Sequence, residues 1–170
     1  MSQPVLAGGL VGDPGGRARL ALAALAGAVA AFGLAPFDLW LLGWAGFAAL
    51  MGLVARAQGA RQAGLTAWIG GSAYFAVALH WIVEPFFVDA ARHGWMAPFA
   101  LALMAGGLAL FWALAGWGMG RLVPAGRSGL RLAVLAGFLA LVELARASIL
   151  TGFPWAHPGH ILIGSPILPM

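Results

Sequence analysis

The sequence predicts an all-α polytopic membrane protein, and three observations carry that expectation. Hydrophobic residues make up 62% of the 170 and charged residues 8%, against about 45–50% and about 25% in soluble domains. Long apolar stretches occupy residues 20–34, 39–55, 65–83, 95–119 and 130–150. A helix needs about 20 mainly apolar residues to cross the hydrocarbon core, so four of these five stretches fit; the first is short and relies on flanking residues or local thinning. Finally, the charges are sorted between alternate connections. Arg17 and Arg19 precede the first stretch, Arg56 and Arg61 lie between the second and third, and Arg121, Arg127 and Arg131 lie between the fourth and fifth. The other connections hold Asp38, then Glu84, Asp89 and Arg92, then Glu143 and Arg146. Seven of nine arginines therefore fall on one side and four of five acids on the other. Cytoplasmic loops accumulate arginine, so about five transmembrane helices are expected, with a cytoplasmic N-terminus and the end of the fifth facing outward.

Taken in order, residues 1–16 read as a weakly patterned cytoplasmic tail. They contain Asp13 and no positive side chain, so the first span is expected to be an uncleaved anchor rather than a signal peptide. Ala35-Pro36-Phe37-Asp38 then makes a tight outward turn: proline disfavours helix at the residue before it, and Asp38 is placed to cap the next helix. Trp40 and Trp44 sit one turn apart near that outer end, where they read as interfacial anchors or, alternatively, as substrate contacts. The connection 55–64, with Arg56, Gln58, Arg61 and Gln62, reads as cytoplasmic. The third span carries Gly70, Gly71, Ser72 and Ala73, and the fourth a Gly116–Gly120 pair; small residues allow helices to approach closely. Residues 17–150 thus form the membrane domain. Residues 151–170 change character, because Pro154, Pro158, Pro166 and Pro169 exclude a regular helix there. A Pro-rich outer loop is expected at that end, with no internal repeat and no domain linker elsewhere.

Several function classes are excluded by composition. There is no cysteine and no lysine, which removes thiol nucleophiles, thiolate metal sites, Schiff bases and P-loop chemistry from these residues. The net charge of +4 comes from arginines set singly at segment ends, without the dense basic stripe that nucleic-acid binding needs. His157 and His160 are separated by Pro158 and have no acidic partner near them in sequence. A catalytic zinc site usually needs three protein ligands, so neither a metal nor any other cofactor is expected.

The residues that carry polar chemistry cluster toward the outer side. Glu143 and Arg146 are three apart on the fifth span and share one helix face; ionisable groups in a membrane segment usually face the bundle interior or a polar cavity. They read as a mutual ion pair or as a pair holding a polar loop against the helix, with direct substrate contact as the alternative. His80 and Glu84, flanking Trp81, would face each other four apart on a continuing helix, either as a satisfied polar pair or as a site. Thr151-Gly152-Phe153-Pro154-Trp155 joins a flexible residue, a rigid one and two large rings that favour the interface. It reads as a fixed aromatic loop at headgroup depth, able to guide acyl chains or dock a neighbouring domain.

On these residues the chain resembles the apolipoprotein N-acyltransferases of bacterial inner membranes. The resemblance is carried by Phe32-Gly33-Leu34-Ala35-Pro36-Phe37-Asp38-Leu39-Trp40, by Tyr74 through His80-Trp81, and above all by Glu143-Leu144-Ala145-Arg146 followed by Thr151-Gly152-Phe153-Pro154-Trp155. It covers about Leu20 to Gly159 and departs at His160, where a tyrosine commonly follows the glycine. It implies a multi-pass inner-membrane enzyme that moves a fatty acyl group from a membrane phospholipid to the N-terminal amine of a diacylglyceryl-cysteine on an apolipoprotein. It also implies an outer, periplasmic nitrilase-like domain with a Glu–Lys–Cys triad, whose cysteine is acylated first and then gives up the acyl group. None of that triad falls among these residues, so no catalytic residue is assigned. The chain is expected to stop before the catalytic domain and to be inactive alone. His80, Trp81, Glu84, Glu143, Arg146, Thr151, Gly152, Phe153, Pro154 and Trp155 are the candidates for substrate binding or loop positioning. The alternative is a small multi-pass transporter or membrane scaffold without covalent chemistry, against which the absence of inverted repeats and of mid-span prolines counts.

Overall fold

A computed structural model describes residues 14–149, 152–163 and 165–166. Among them there is no β-strand; the chain is a bundle of helices in the order α1 (Pro14–Ala31), α2 (Trp40–Ala55), α3 (Ala60–Ala78), α4 (Ala90–His93), α5 (Ala97–Leu122) and α6 (Ser128–Ser148). Tight 3-10 turns cover His80–Phe87, Gly94–Met96 and Pro158–Leu162. Proline stands at the start of α1 and in the first turn of α5, where its missing N–H costs nothing. The all-α membrane reading holds. Two helical stretches, Ala90–Leu122 and Ser128–Ser148, are long and apolar enough to cross a membrane, and the bent pair of α3 with His80–Phe87 makes a third. At 16 residues, α2 is about 24 Å long, shorter than the usual hydrocarbon core.

The exterior confirms the apolar solvent. Leu22, Leu25, Leu41, Leu103, Leu110, Leu114, Leu141 and Leu144 are all more than half exposed. Soluble proteins rarely display apolar surface on that scale.

Inside, small residues set the distances between helices. A Cβ on Gly27 of α1 would stand 1.9 Å from the Gly70 carbonyl oxygen of α3, so the run of small residues in the third span is a helix contact. The Gly116–Gly120 pair is one too: Cβ atoms there would meet the Ala63 oxygen at 2.8 Å and the Ala60 Cα at 2.6 Å. These approaches make α3 and α5 the most extensively paired helices, with α1 on the other side of α3. Trp112 of α5 is fully buried at the centre. Its ring stacks on Tyr74 at 5.0 Å between centroids, tilts against Phe75 at 5.3 Å and meets Phe47 edge-on at 5.8 Å.

Four expectations are corrected. The third span ends at Ala78 rather than Val83 and bends by 50° into the 3-10 turn that contains Pro85. Asp38 does not cap α2: Leu39 holds that position without a side-chain bond, and Asp38 itself is left-handed at φ 52° after a cis Ala35–Pro36 peptide. Trp44, read as an outward-facing anchor, instead turns into the bundle: its indole nitrogen is buried and its ring packs edge-on against Phe47. Arg131, grouped with the loop arginines, is only 1% exposed and directs Nε to the Met119 sulfur at 3.0 Å.

Candidate functional site

The site lies where α6 ends and the chain folds back over the bundle. On α6, i,i+3 spacing puts Glu143 and Arg146 on one face, and Arg146 Nη2 donates to Glu143 Oε2 at 2.5 Å. The pair forms as the spacing predicts, and it also holds the polar loop against the helix, the other structural role the sequence allowed. Arg146 Nη1 donates to the carbonyl oxygens of Phe153 and Trp155, each at 2.8 Å, while Nη2 also lies 3.0 Å from His157 Nδ1. His157 Nδ1 in turn contacts Glu143 Oε2. The other carboxylate oxygen, Oε1, accepts from the Trp112 indole at 2.8 Å. One guanidinium, 1% exposed, therefore ties the helix to both ends of the Phe153–Trp155 turn. It also rides 5.3 Å over the Phe75 ring.

The backbone is built to meet that guanidinium. Gly152 has φ +80°, and a Cβ there would fall 2.2 Å from the Ala147 carbonyl oxygen. Only glycine takes that turn without strain. Phe153 N–H then donates back to the Arg146 carbonyl at 3.1 Å. Two residues past Pro154, Ala156 is buried with φ 55°, and its carbonyl accepts from the Tyr74 hydroxyl at 3.1 Å. Farther along, Ile161 is fully buried and sits where Gly33 and Gly43 leave room for it between α1 and α2. The loop is thus nailed down by an ionic knot at one end and an apolar plug at the other. Buried polar groups that find several partners rigidify what they join.

Of the residues expected from sequence, Glu143, Arg146, Gly152, Phe153, Pro154 and Trp155 come together here. Thr151 lies outside the described residues. Trp81 joins them from the opposite side: its ring meets the Trp155 ring edge-on, 6.3 Å between centroids, and both indoles are about half exposed. His80 and Glu84 do not pair. In a 3-10 turn side chains align at i and i+3, not i+4, and His80 Nδ1 instead contacts the Val77 carbonyl at 2.9 Å; both residues are exposed. Sequence reasoning did not find Trp112, Tyr74 and His157 as members of the site. A buried tryptophan or tyrosine in a membrane helix needs a partner for its polar atom, and that was the available signal.

Two hollows flank the knot. One, of about 360 Å³, is lined by Asp38, Leu79, Trp81, Trp155, Ala156 and His160 among others. The second, of about 520 Å³, is an apolar groove between α2 and α6, running from Met51 and Leu132 to Glu143 and His157. His160, in the loop after α6, has its imidazole pulled below the ordinary value of 6.5 by burial, reinforced by the nearby His157 and Arg146 and opposed by Glu143.

The family pattern described as the apolipoprotein N-acyltransferase N-terminal domain matches residues 26–170. The chain is 45% identical over 142 residues to the apolipoprotein N-acyltransferase of Caulobacter vibrioides, covering 82% of this chain and 26% of that protein. It is 35% identical over 149 residues to the protein of that name from Rhodopseudomonas palustris, covering 85% and 27%. The corresponding protein of Brucella suis is 36% identical over 160 residues, covering 88% and 30%. The chain spans less than a third of the length of these curated relatives.

Proposed function

The chain belongs to the apolipoprotein N-acyltransferase family, and from that premise we propose that it is the membrane platform of a phospholipid-dependent enzyme of bacterial lipoprotein maturation. The overall reaction moves a fatty acyl group from a phospholipid ester to the N-terminal amine of a diacylglyceryl-cysteine on an apolipoprotein. With no cysteine or lysine in the chain, a thiol carried elsewhere in the enzyme attacks the donor ester. The acyl group passes to sulfur, and the lysophospholipid leaves. The acceptor amine then attacks the thioester, forms the amide and frees the thiol, a ping-pong course.

The part played by these residues is positional. The observation that supports it is the Arg146 guanidinium, which binds both the Phe153 and the Trp155 carbonyls while held by Glu143. A loop so fixed presents Trp155 and Trp81 at one outer edge of the bundle, at headgroup depth, where a lipid ester can be aligned with a nucleophile. Alignment of reacting groups is a large part of what catalysis supplies. In this reading the N-terminus is cytoplasmic, the helices form five spans in the inner membrane, with α1 and α2 short ones, and 151–170 is periplasmic.

A domain exchange tests it. Replacing the matching segment of the Caulobacter relative with this chain should give an enzyme that forms an acyl-thiol from phospholipid and an amide from a diacylglyceryl peptide. The 170 residues alone should form neither. A well-folded exchange protein without turnover, or turnover by the isolated chain, would sink the proposal.

A further inference from the structure

We infer that the groove along the α3–α5 seam, at the end of the bundle away from the Glu143–Arg146 knot, binds an anionic phospholipid of the cytoplasmic leaflet. Its phosphate would lie on Arg61 and Arg121 and one acyl chain on the apolar walls below them. The choice of leaflet rests on the orientation proposed above; the contacts do not, and the site takes no part in acyl transfer.

The charge at the mouth comes from two helices. Arg61 is the second residue of α3 and Arg121 the penultimate residue of α5. The helices are antiparallel, since Gly120 approaches Ala60, Gly116 approaches Ala63 and Trp68 reaches Gly106. Both arginines therefore stand at the same end of the seam. Arg61 lines the groove, as does Trp117, and the Arg121 guanidinium lies 5.8 Å over the Trp117 ring. A guanidinium is attracted to an indole face, so the stack holds the second charge at the mouth. Both arginines are exposed, and the ion pairs formed among the described residues are those of Glu143. Neither arginine has a carboxylate to neutralise it there. Planar guanidinium forks match the oxygens of a phosphate, and basic pockets between helices on the cytoplasmic side suit anionic headgroups.

Below the mouth the groove is hydrocarbon-like. Gly64, Leu65 and Trp68 of α3 face Leu114 and Trp117 of α5 around about 590 Å³. At Gly64 the helices come so close that a Cβ would stand 3.2 Å from the Trp117 Cβ, while the larger side chains on either side leave a trough. Trp68 closes its far end, donating its indole N–H to the Gly106 carbonyl at 3.0 Å. From Arg61 to Trp68 the helix rises about 10 Å, room for the first part of an acyl chain. Depth agrees with a lipid. Trp117 is half exposed one turn inside Arg121, and tryptophans settle where headgroups meet hydrocarbon. Tyr74, beside the knot, is about 20 Å farther along α3, so the bound lipid is not the acyl donor. The α1–α2 groove also ends on an arginine, Arg56, but lacks a second charge in its lining.

The test is lipid binding to the 170-residue chain in detergent, read by native mass spectrometry with phosphatidylglycerol and phosphatidylcholine of identical acyl chains. The parent should prefer phosphatidylglycerol by about thirtyfold, the product of about fivefold from each arginine. Arg61→Gln with Arg121→Gln should remove most of that preference while phosphatidylcholine binding persists, which also shows that the variant folds. Arg56→Gln with Arg127→Gln deletes the same charge from the same end of the bundle and should leave most of the preference in place. Leu114→Gln, on an exposed wall, should weaken both lipids by a similar factor and keep their ratio. No preference in the parent, or equal losses in the two double variants, overturns the site, because net charge alone would then gather the lipid. An unchanged affinity in Leu114→Gln, or displacement of phosphatidylglycerol by inorganic phosphate at fixed ionic strength, also overturns it, since neither outcome needs the groove. Binding that vanishes in the exchange enzyme means that a further helix covers the seam, and the inference is then wrong. None of these readouts uses turnover, so their failure leaves the acyl-transfer reading standing.

Discussion

Arg146→Met is the most informative single change to the bundle, because it keeps most of the side-chain volume and deletes only the guanidinium. In the parent that group serves two carbonyls at 2.8 Å, a carboxylate at 2.5 Å and an imidazole nitrogen at 3.0 Å. Its removal leaves the Glu143 carboxylate, 14% exposed, without its cation, and orphans the carbonyls of Phe153 and Trp155. Breaking one side of a buried ion pair costs about 3–5 kcal/mol, and the lost carbonyl bonds are part of that sum rather than additional to it. The loop retains the Ile161 plug and the Tyr74–Ala156 bond, so it opens locally while the bundle persists. At about 1.4 kcal/mol per tenfold, hydrogen-exchange protection of the Gly152 and Phe153 amides should drop by about two to three and a half orders of magnitude. Amides of α3 and α5 should keep theirs. Parent-like protection at Phe153 would mean that the guanidinium is not what holds the turn; uniform loss across the bundle would mean that it supports the whole fold.

Trp112→Phe keeps the stack on Tyr74 but deletes the indole N–H bound to Glu143; a loss of about 1.5–3 kcal/mol, the range for a hydrogen bond to a charged group, should appear in thermal unfolding. Gly27→Ala forces a Cβ onto the Gly70 oxygen and should destabilise by about 1–3 kcal/mol or more, whereas Gly137→Ala, which meets nothing within 4 Å, should be neutral or mildly stabilising by up to about 1 kcal/mol. His160 should titrate below 6.5 in the folded protein by NMR. Because its folded value is depressed, the unfolded chain binds the proton more readily, so His160's contribution to loop stability is full above 6.5 and declines as the pH falls toward the folded value. Reporter fusions after Arg61 and Arg127 should give a cytoplasmic signal and those after Asp89 and Trp155 an external one; the reverse pattern would end the proposed orientation.

What the sequence made legible was whatever depends on local spacing. Glu143 and Arg146 are one turn apart on an uninterrupted apolar helix, so their pairing follows from helix geometry, and the proline pattern after Thr151 already forbade another regular helix beyond it. The Gly116–Gly120 spacing was readable in the same way, although only the structure supplies its partners Ala63 and Ala60. What sequence could not supply were the long-range closures. Trp112 meets Glu143 across 31 residues and Tyr74 meets Ala156 across 82, and no periodicity joins them. His80 and Glu84 were misjudged because the helical period was carried through Val83; Pro85 was the visible reason to stop earlier. Asp38 looked like a cap because its residue type suits one, but its backbone is left-handed and Leu39 takes the cap position.

The central claim is that the Glu143–Arg146 knot positions the Phe153–Trp155 turn for acyl transfer without taking part in the chemistry. It is tested most directly in the exchange enzyme, by following thiol labelling and acyl-enzyme formation side by side in Arg146→Ala and Trp155→Ala. The account predicts that the catalytic thiol labels at the parent rate in both variants while acylation from phospholipid slows by at least tenfold, a modest share of what alignment can contribute. Acyl-enzyme formation and transfer at the parent rate in both would contradict it and reduce the loop to an anchor.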